Sequence, residues 1–164
     1  MFGDESRFGT HTKIGYGWFK KGIRTSVKIN IGYLSFYIYS AISVITGEHF
    51  DIEFPDVDTD CMNAFLGDLS KKYEGKKIAL IIDGAGWHKS KRLKKPDNID
   101  IFLLPPYSPE LNPVERFWKF LKQNILSNRL FESLDKIKLD AKNFLDSLQN
   151  PTILQLCKNN YLDI

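Results

Sequence analysis

The sequence predicts an α/β domain: three antiparallel strands, a helix, a strand, a short basic segment, a further strand, and a helix entered through a proline-rich loop. Three observations carry this reading. Extended runs with a hairpin signal fill the first third of the chain. The run Lys77-Ile78-Ala79-Leu80-Ile81-Ile82 has the continuous apolar pattern of a strand buried on both faces. Leu103-Leu104-Pro105-Pro106-Tyr107-Ser108-Pro109-Glu110-Leu111-Asn112-Pro113-Val114-Glu115-Arg116-Phe117-Trp118 then ends one strand, crosses a stiff loop and opens a helix.

Taken in order, the chain opens with Phe2-Gly3-Asp4-Glu5-Ser6-Arg7-Phe8, and only Met1 to Gly3 precede Asp4. If the block is extended, Asp4 and Glu5 face opposite ways and only one can enter a given site. The alternative is that both are solvated acids at a frayed terminus. Gly15-Tyr16-Gly17-Trp18-Phe19-Lys20-Lys21-Gly22 reads as a turn-rich connection whose aromatics either cover a sheet edge or stack on DNA. The runs 33–45 and 48–54 flank Thr46-Gly47 as a hairpin. After Pro55, Asp58 or Thr59 caps a helix through about Tyr73, with Met62, Phe65, Leu66 and Leu69 on its buried face.

The strand 77–82 ends in Asp83-Gly84, and an acid at the carboxyl end of a buried strand lies where open α/β sheets place ligand chemistry. Residues 88–95 follow, with five cations and no acid. They are either a solvated basic face or a phosphate-binding run. The prolines at 105, 106, 109 and 113 keep Leu104, Ser108 and Asn112 out of helical space and so fix where the next helix starts. Asn112 reads as its N-cap, Pro113 as its first residue and Glu115 as its third. Glu115 then suits a capping box, a catalytic carboxylate, or both. Val114, Phe117, Trp118, Leu121 and Ile125 form the core face of a helix reaching about Leu126, while Glu115, Lys119 and Lys122 lie on its flank. Ser133 caps a last amphipathic helix, with Leu134, Ile137, Ala141, Phe144, Leu145 and Leu148, that ends near Asn150-Pro151.

A length of 164 residues suits one domain with a real core. The net charge of +3, from 23 basic against 20 acidic residues, is too small to establish a nucleic-acid partner. Cys61 and Cys157 are far apart and form no Cys-x-x-Cys, which argues against a disulfide framework or a zinc site and fits a reducing cytoplasm. No signal peptide opens the chain, and its greasiest stretch, 33–45, is too short to span a membrane.

Asp83-Gly84-Ala85-Gly86-Trp87-His88-Lys89, Asn98-Ile99 and the segment from Pro105 to Trp118 together resemble the catalytic core of insertion-sequence transposases of the Tc/mariner superfamily. Phe2 to Phe8 is similar to the block that carries that family's first acid, and the resemblance runs from residue 2 to about residue 131. It implies an RNase H-like fold over residues 1–150: a mixed five-stranded sheet, three antiparallel strands then two parallel, flanked by helices, with the first strand beside the fourth. Residues 151–164 are left as a C-terminal tail without an interpretable motif. The family's acidic triad (DDE) falls on Asp4, Asp83 and Glu115.

Three carboxylates brought together repel one another, and burying them is costly unless they protonate or bind cations. Two Mg²⁺ or Mn²⁺ ions, roughly 3.5 to 4 Å apart, suit hard oxygen ligands and in-line displacement at phosphorus. Asp4 is expected to bridge both ions, and Asp83 and Glu115 to hold one each. The implied reaction is cleavage at transposon ends, then attack of the released 3′-OH on target DNA. Lys89, Lys91 and Arg92, with Lys119 and Lys122, are the expected DNA contacts, Lys119 having a surface salt bridge to Glu115 as its alternative, and His88 is expected either to contact DNA or to orient the site. Double-stranded DNA is the expected partner, with a homodimer as one assembly, no membrane association, and a cytoplasmic, nucleoid-associated location in a bacterium.

The sequence departs from the family pattern in two ways. Gly84 stands where the family usually has asparagine, and the Asp83-to-Glu115 spacing is slightly short. The helix-turn-helix module that the family places before its first acid is expected to be encoded separately or lost. The rival readings are an inactive remnant that binds DNA nonspecifically and an RNase H-like nuclease acting on hybrids or branched DNA.

Overall fold

The computed structural model describes residues 1–11, 18, 20–22, 26, 28, 30 and 32–158. Residues 15–17 and 19 of the aromatic segment 15–22 lie outside the described residues, as does the end of the tail. Five strands, β1 (Phe2–Gly9), β2 (Ser35–Ile42), β3 (His49–Phe54), β4 (Ile78–Ile82) and β5 (Ile99–Leu103), form one sheet in the order β3-β2-β1-β4-β5. The first three pair antiparallel, with Asp4 opposite Ser40, and β4 and β5 run parallel beyond β1. The fold is therefore the mixed RNase H-like sheet anticipated above, with the first strand lying against the fourth.

Helix α1 (Thr59–Lys72) covers one face of the sheet, where Met62, Phe65, Leu66 and Leu69 pack against Tyr39, Leu80, Ile82 and Ile99. Helices α2 (Val114–Ile125), α3 (Leu134–Ser147) and α4 (Asn150–Cys157) cover the other. There Phe117, Trp118 and Leu121 meet Phe2, Phe8, Phe36 and Ile38. The helix starts have local causes. Asp58 accepts from the Cys61 N–H at 2.8 Å, and Ser133 accepts from the Lys136 N–H at 3.2 Å.

Three boundaries differ from those read in the sequence. β2 stops at Ile42 rather than Ile45, because the Ser43 hydroxyl accepts from the Thr46 N–H and closes a turn. That turn needs Gly47 at φ +73°, where a Cβ would strike the Asn150 carbonyl. Helix α2 starts at Val114, with Pro113 as its flanking residue. Residues 151–157, assigned to the tail, belong to α4, which buries Ile153 and Cys157 against the α2 face. Pro151, which the sequence suggests as the stop of one helix, sits in the first turn of the next. Arg116 fixes α4 by donating to the carbonyls of Leu156 at 2.8 Å and Lys158 at 2.6 Å.

Candidate active site

The parallel register joining β1 to β4 sets Phe2, which opens β1, opposite Ile81, the last residue but one of β4. Both strands then run on to an acid, Asp4 in β1 and Asp83 just past β4, at the edge of a cavity of about 460 Å³. The proline loop closes its far side through Leu104, Pro106 and Tyr107, and α2 contributes Glu115. Asp4, Asp83 and Glu115 thus line one cavity, although they lie far apart in the sequence. A larger cavity of about 570 Å³, between β3 and α3 and lined by Phe50, Lys72, Lys138 and Leu145, contains none of the three.

Strand alternation separates Asp4 from Glu5, as the sequence required. Asp4 turns toward α2, where the Trp118 indole N–H donates to its Oδ2 at 3.0 Å. Burial, together with the charges of Glu5 and Glu115, pushes its carboxyl up to about 7 against the pull of the Trp118 hydrogen bond. Glu5 is no solvated terminal acid, because its carboxylate meets His88 Nε2 at 2.9 Å with only 8% of the side chain exposed.

Asp83 sits at the more open rim. Its Oδ1 accepts from the Ala85 N–H at 3.0 Å and lies 2.9 Å from His88 Nδ1. The His88 hydrogen bond, joined by that from Ala85, holds its carboxyl below the usual range despite partial burial. Glu115 is exposed on the first turn of α2. It does not close a capping box, since the Asn112 N–H is taken by the Pro109 carbonyl. Asn112 is buried instead, accepting from the Val114 N–H at 3.2 Å and donating through Nδ2 to the Gly3 carbonyl at 3.1 Å. The residue expected to cap the helix also ties it to the strand residue before Asp4.

The expected DNA contacts divide. Lys89 lines the cavity, and Lys91, Arg92 and Lys119 are exposed. Lys122 lines a neighbouring recess of about 340 Å³ with Arg7 and His11. His88 is corrected. It is 5% exposed and engaged through both ring nitrogens, so a surface contact with DNA is not open to it. Burial lowers its affinity for a proton, but the bonds to Asp83 and Glu5 outweigh this and raise its pKa to about 10, so the ring is a charged double donor.

Sequence reasoning missed Glu5, Asn112 and Trp118 as parts of the site. A signal existed for Glu5, as the acid beside Asp4 on the opposite strand face. None existed for the long-range bonds of Asn112 and Trp118. Tyr107 was missed as well. It is 101% exposed at φ +59°, an unusual conformation for an aromatic residue, and stands at the cavity rim.

Carboxylates from within β1, from just past the end of the adjacent β4 and from a helix start, gathered at one cavity of this sheet, define the class as RNase H-like. A family model described as DDE superfamily endonuclease matches residues 1–138, and the chain belongs to that family. An uncharacterized protein, y4pE/y4sA, of Sinorhizobium fredii (strain NBRC 101917 / NGR234) is 43% identical over 102 residues, covering 62% of this chain and 76% of its own length. The insertion element IS630 uncharacterized 39 kDa protein of Shigella sonnei is 26% identical over 153 residues, 90% of this chain and 45% of its own length. Among solved structures, the mariner Mos1 paired-end complex with Mg superposes with a TM-score of 0.73 at 15% identity, covering 95% of this chain and 50% of that one. The catalytic domain of Mos1 mariner transposase gives a TM-score of 0.62 at 12% identity, covering 95% and 74%. The chain therefore spans about half the length of the Shigella sonnei relative and of the transposase in that complex.

Proposed function

We propose that this domain cuts DNA at transposon ends and joins the released 3′-OH to target DNA, with Asp4, Asp83 and Glu115 as its catalytic acids. The observation that carries the reading is that these three acids share one cavity. Its donor set fits Mg²⁺ or Mn²⁺. The candidate ligands are carboxylate oxygens, and a cation offsets both the burial and the charges of Glu5 and Glu115 that together raise the Asp4 carboxyl. Among the described residues no three acid, imidazole or thiol groups form a ready-made metal cluster, so the acids stand around the cavity wall rather than in a closed cage. Asp4 reaches from the sheet floor, Asp83 from one rim and Glu115 from the helix side.

When bound, a pair of such ions polarises the phosphate and activates the attacking hydroxyl. The chain's own residues orient the DNA. Lys89 holds a phosphate at the mouth, while Lys91, Arg92, Lys119 and Lys122, with Arg7 and His11 beside the last, guide the backbone without reading sequence. Tyr107, held outward on its proline loop, offers a base-stacking face at the rim. A helix-turn-helix domain finds the ends, a second copy pairs them, and the work takes place on the nucleoid in the cytoplasm. Among the described residues no helix is long and apolar enough to cross a membrane.

The test is metal-dependent nicking of transposon-end duplex by the wild-type chain and by Asp83→Asn. The reading expects loss of nicking in a folded variant; nicking retained by Asp83→Asn removes it. One observation favours a second reading, a DNA-binding remnant: Asp83 Oδ1 is already occupied by two internal donors, and Lys89 lies close by. Salt-sensitive binding without cleavage, even with a recognition domain supplied, selects that reading. Preferential cleavage of hybrid or junction substrates selects a different RNase H-like nuclease.

A further inference from the structure

The geometry points to Glu5 and His88 as a brace that sets the direction of Asp83 and the width of the fork between β1 and β4. The inference rests on Asp83 being a metal ligand, as proposed above. Past Phe2 and Ile81 the two strands carry their acids onward without a backbone register to hold them together. β4 keeps its pairing with β5 as far as Ile82 opposite Leu103, so the opening lies on the β1 side alone.

His88 spans that opening. A single 3₁₀ turn, Gly86–Lys89, doubles the chain back after Asp83, held by the His88 N–H to the Ala85 carbonyl at 3.1 Å. The ring then meets three oxygens. Nδ1 reaches Asp83 Oδ1 at 2.9 Å and the Asp83 carbonyl at 3.0 Å, and Nε2 reaches Glu5 Oε1 at 2.9 Å. Only 1% of the His88 side chain and 8% of the Glu5 side chain are exposed, so water does not compete for the Glu5–His88 bond, whereas the Asp83 side chain it steers is 55% exposed.

Adjacent residues of β1 thereby serve both acids. Asp4 enters the cavity on one face of the strand. Glu5, on the other, fixes Asp83 through the imidazole. With Oδ1 held by His88 and Ala85, coordination by Asp83 falls to Oδ2, and the carboxylate acts as a one-oxygen ligand of fixed direction. Partners of this kind typically change metal affinity 10- to 100-fold when removed.

The test measures Mn²⁺ affinity of the full chain by electron paramagnetic resonance, without DNA and without turnover, beside thermal unfolding of the metal-free protein. Glu5→Ala and His88→Ala are expected to weaken Mn²⁺ binding about tenfold or more. Glu5→Gln, which keeps an oxygen acceptor toward Nε2, recovers most of the loss, and the double variant Glu5→Ala with His88→Ala is no worse than His88→Ala alone. Leu145→Ala, a core change in α3, supplies the control for lowered stability by itself and leaves the affinity in place. Where His88→Ala fails to fold, Glu5→Ala and Glu5→Gln decide. Wild-type affinity in a folded Glu5→Ala, or equal losses in Glu5→Ala and Leu145→Ala, overturns the brace. If wild-type binding of Mn²⁺ is unaffected by Asp4→Asn and Asp83→Asn, the metal reading fails and the brace fails with it. Binding that depends on those acids but not on Glu5 removes the brace alone.

Discussion

The indole N–H of Trp118 donates to Oδ2 of Asp4 at 3.0 Å, so a core residue of α2 holds one oxygen of the most buried acid in the site. Phe8 packs edge-on to the same indole, at 6.3 Å between ring centroids, and keeps it in place. The bond favours the charged carboxylate, but burial and the charges of Glu5 and Glu115 oppose it more strongly and leave the carboxyl at about 7.

That balance makes the metal-free domain pH-sensitive in a defined direction. An unfolded aspartate loses its proton near 3.8 and Asp4 in the fold near 7, so the folded state binds more protons between those values. The stability Asp4 contributes is complete below about pH 4 and is lost as pH rises through 7. Asp4→Asn removes this dependence. Without metal at pH 8 it should unfold later than wild type, by roughly 1 to 4 kcal/mol, with the difference shrinking toward pH 5. Denaturant titrations of both proteins at the two pH values check this. Adding Mg²⁺ should stabilise wild type and leave Asp4→Asn nearly unchanged.

Asn112 tests how tightly Glu115 is placed. Its amide joins the first turn of α2 to the Gly3 carbonyl, one residue before Asp4, and it is 5% exposed. Asn112→Ala leaves both the Gly3 carbonyl and the Val114 N–H without this partner, at a cost of about 1–3 kcal/mol. Asn112→Asp keeps an acceptor for Val114 but loses the donor to Gly3 and adds a charge near Asp4. Its unfolding free energy should fall no less than that of the alanine variant at pH 8 and recover toward pH 4, as chemical denaturation will show.

The sheet and its helices were legible because their patterns are local. The strand before Asp83, the spacing of Met62, Phe65, Leu66 and Leu69, and the caps at Asp58 and Ser133 need no knowledge of distant residues, although that strand buries Ile78, Leu80 and Ile82 on one face and leaves Ala79 exposed on the other, where burial on both faces was expected. Asp83 and Glu115 were each legible as candidates from their places at a strand end and a helix start, but their grouping with Asp4 was legible only through motif resemblance, since periodicity cannot say that β1 lies beside β4. Glu5–His88, Asn112–Gly3 and Trp118–Asp4 were not legible, because each joins side chains to partners more than 80 residues away. α4 was missed for another reason. Eight residues with two buried positions give too little periodicity to outweigh a proline read as a stop.

Tyr107 carries a prediction about DNA. A fully exposed aromatic held at positive φ between prolines gains nothing from burial, and its ring stands free at the cavity rim to meet a ligand. Tyr107→Ala should weaken binding of end-containing duplex about tenfold, Tyr107→Phe should bind like wild type, and the fold should be unchanged. Fluorescence anisotropy with the three proteins decides it; equal affinities would show that the ring contacts no base.

Gly84, where the family usually has asparagine, bears on Lys89. A Cβ at position 84 would lie 2.6 Å from Lys89 Nζ and 3.1 Å from its Cε, so the missing side chain leaves the space that the lysine occupies beside Asp83. The clash is with the end of a flexible chain, so Gly84→Asn should fold and simply displace the ammonium from the cavity mouth. If Lys89 holds a phosphate there, Gly84→Asn and Lys89→Ala should weaken DNA binding by similar factors. Each should lower the salt slope by about one, and the double variant should add little. Binding measured from low to moderate salt separates this from a purely local effect. A Gly84→Asn protein with the wild-type slope places the lysine's role elsewhere, whereas a lowered slope makes Gly84 and Lys89 one functional unit, with the glycine making room for the charge.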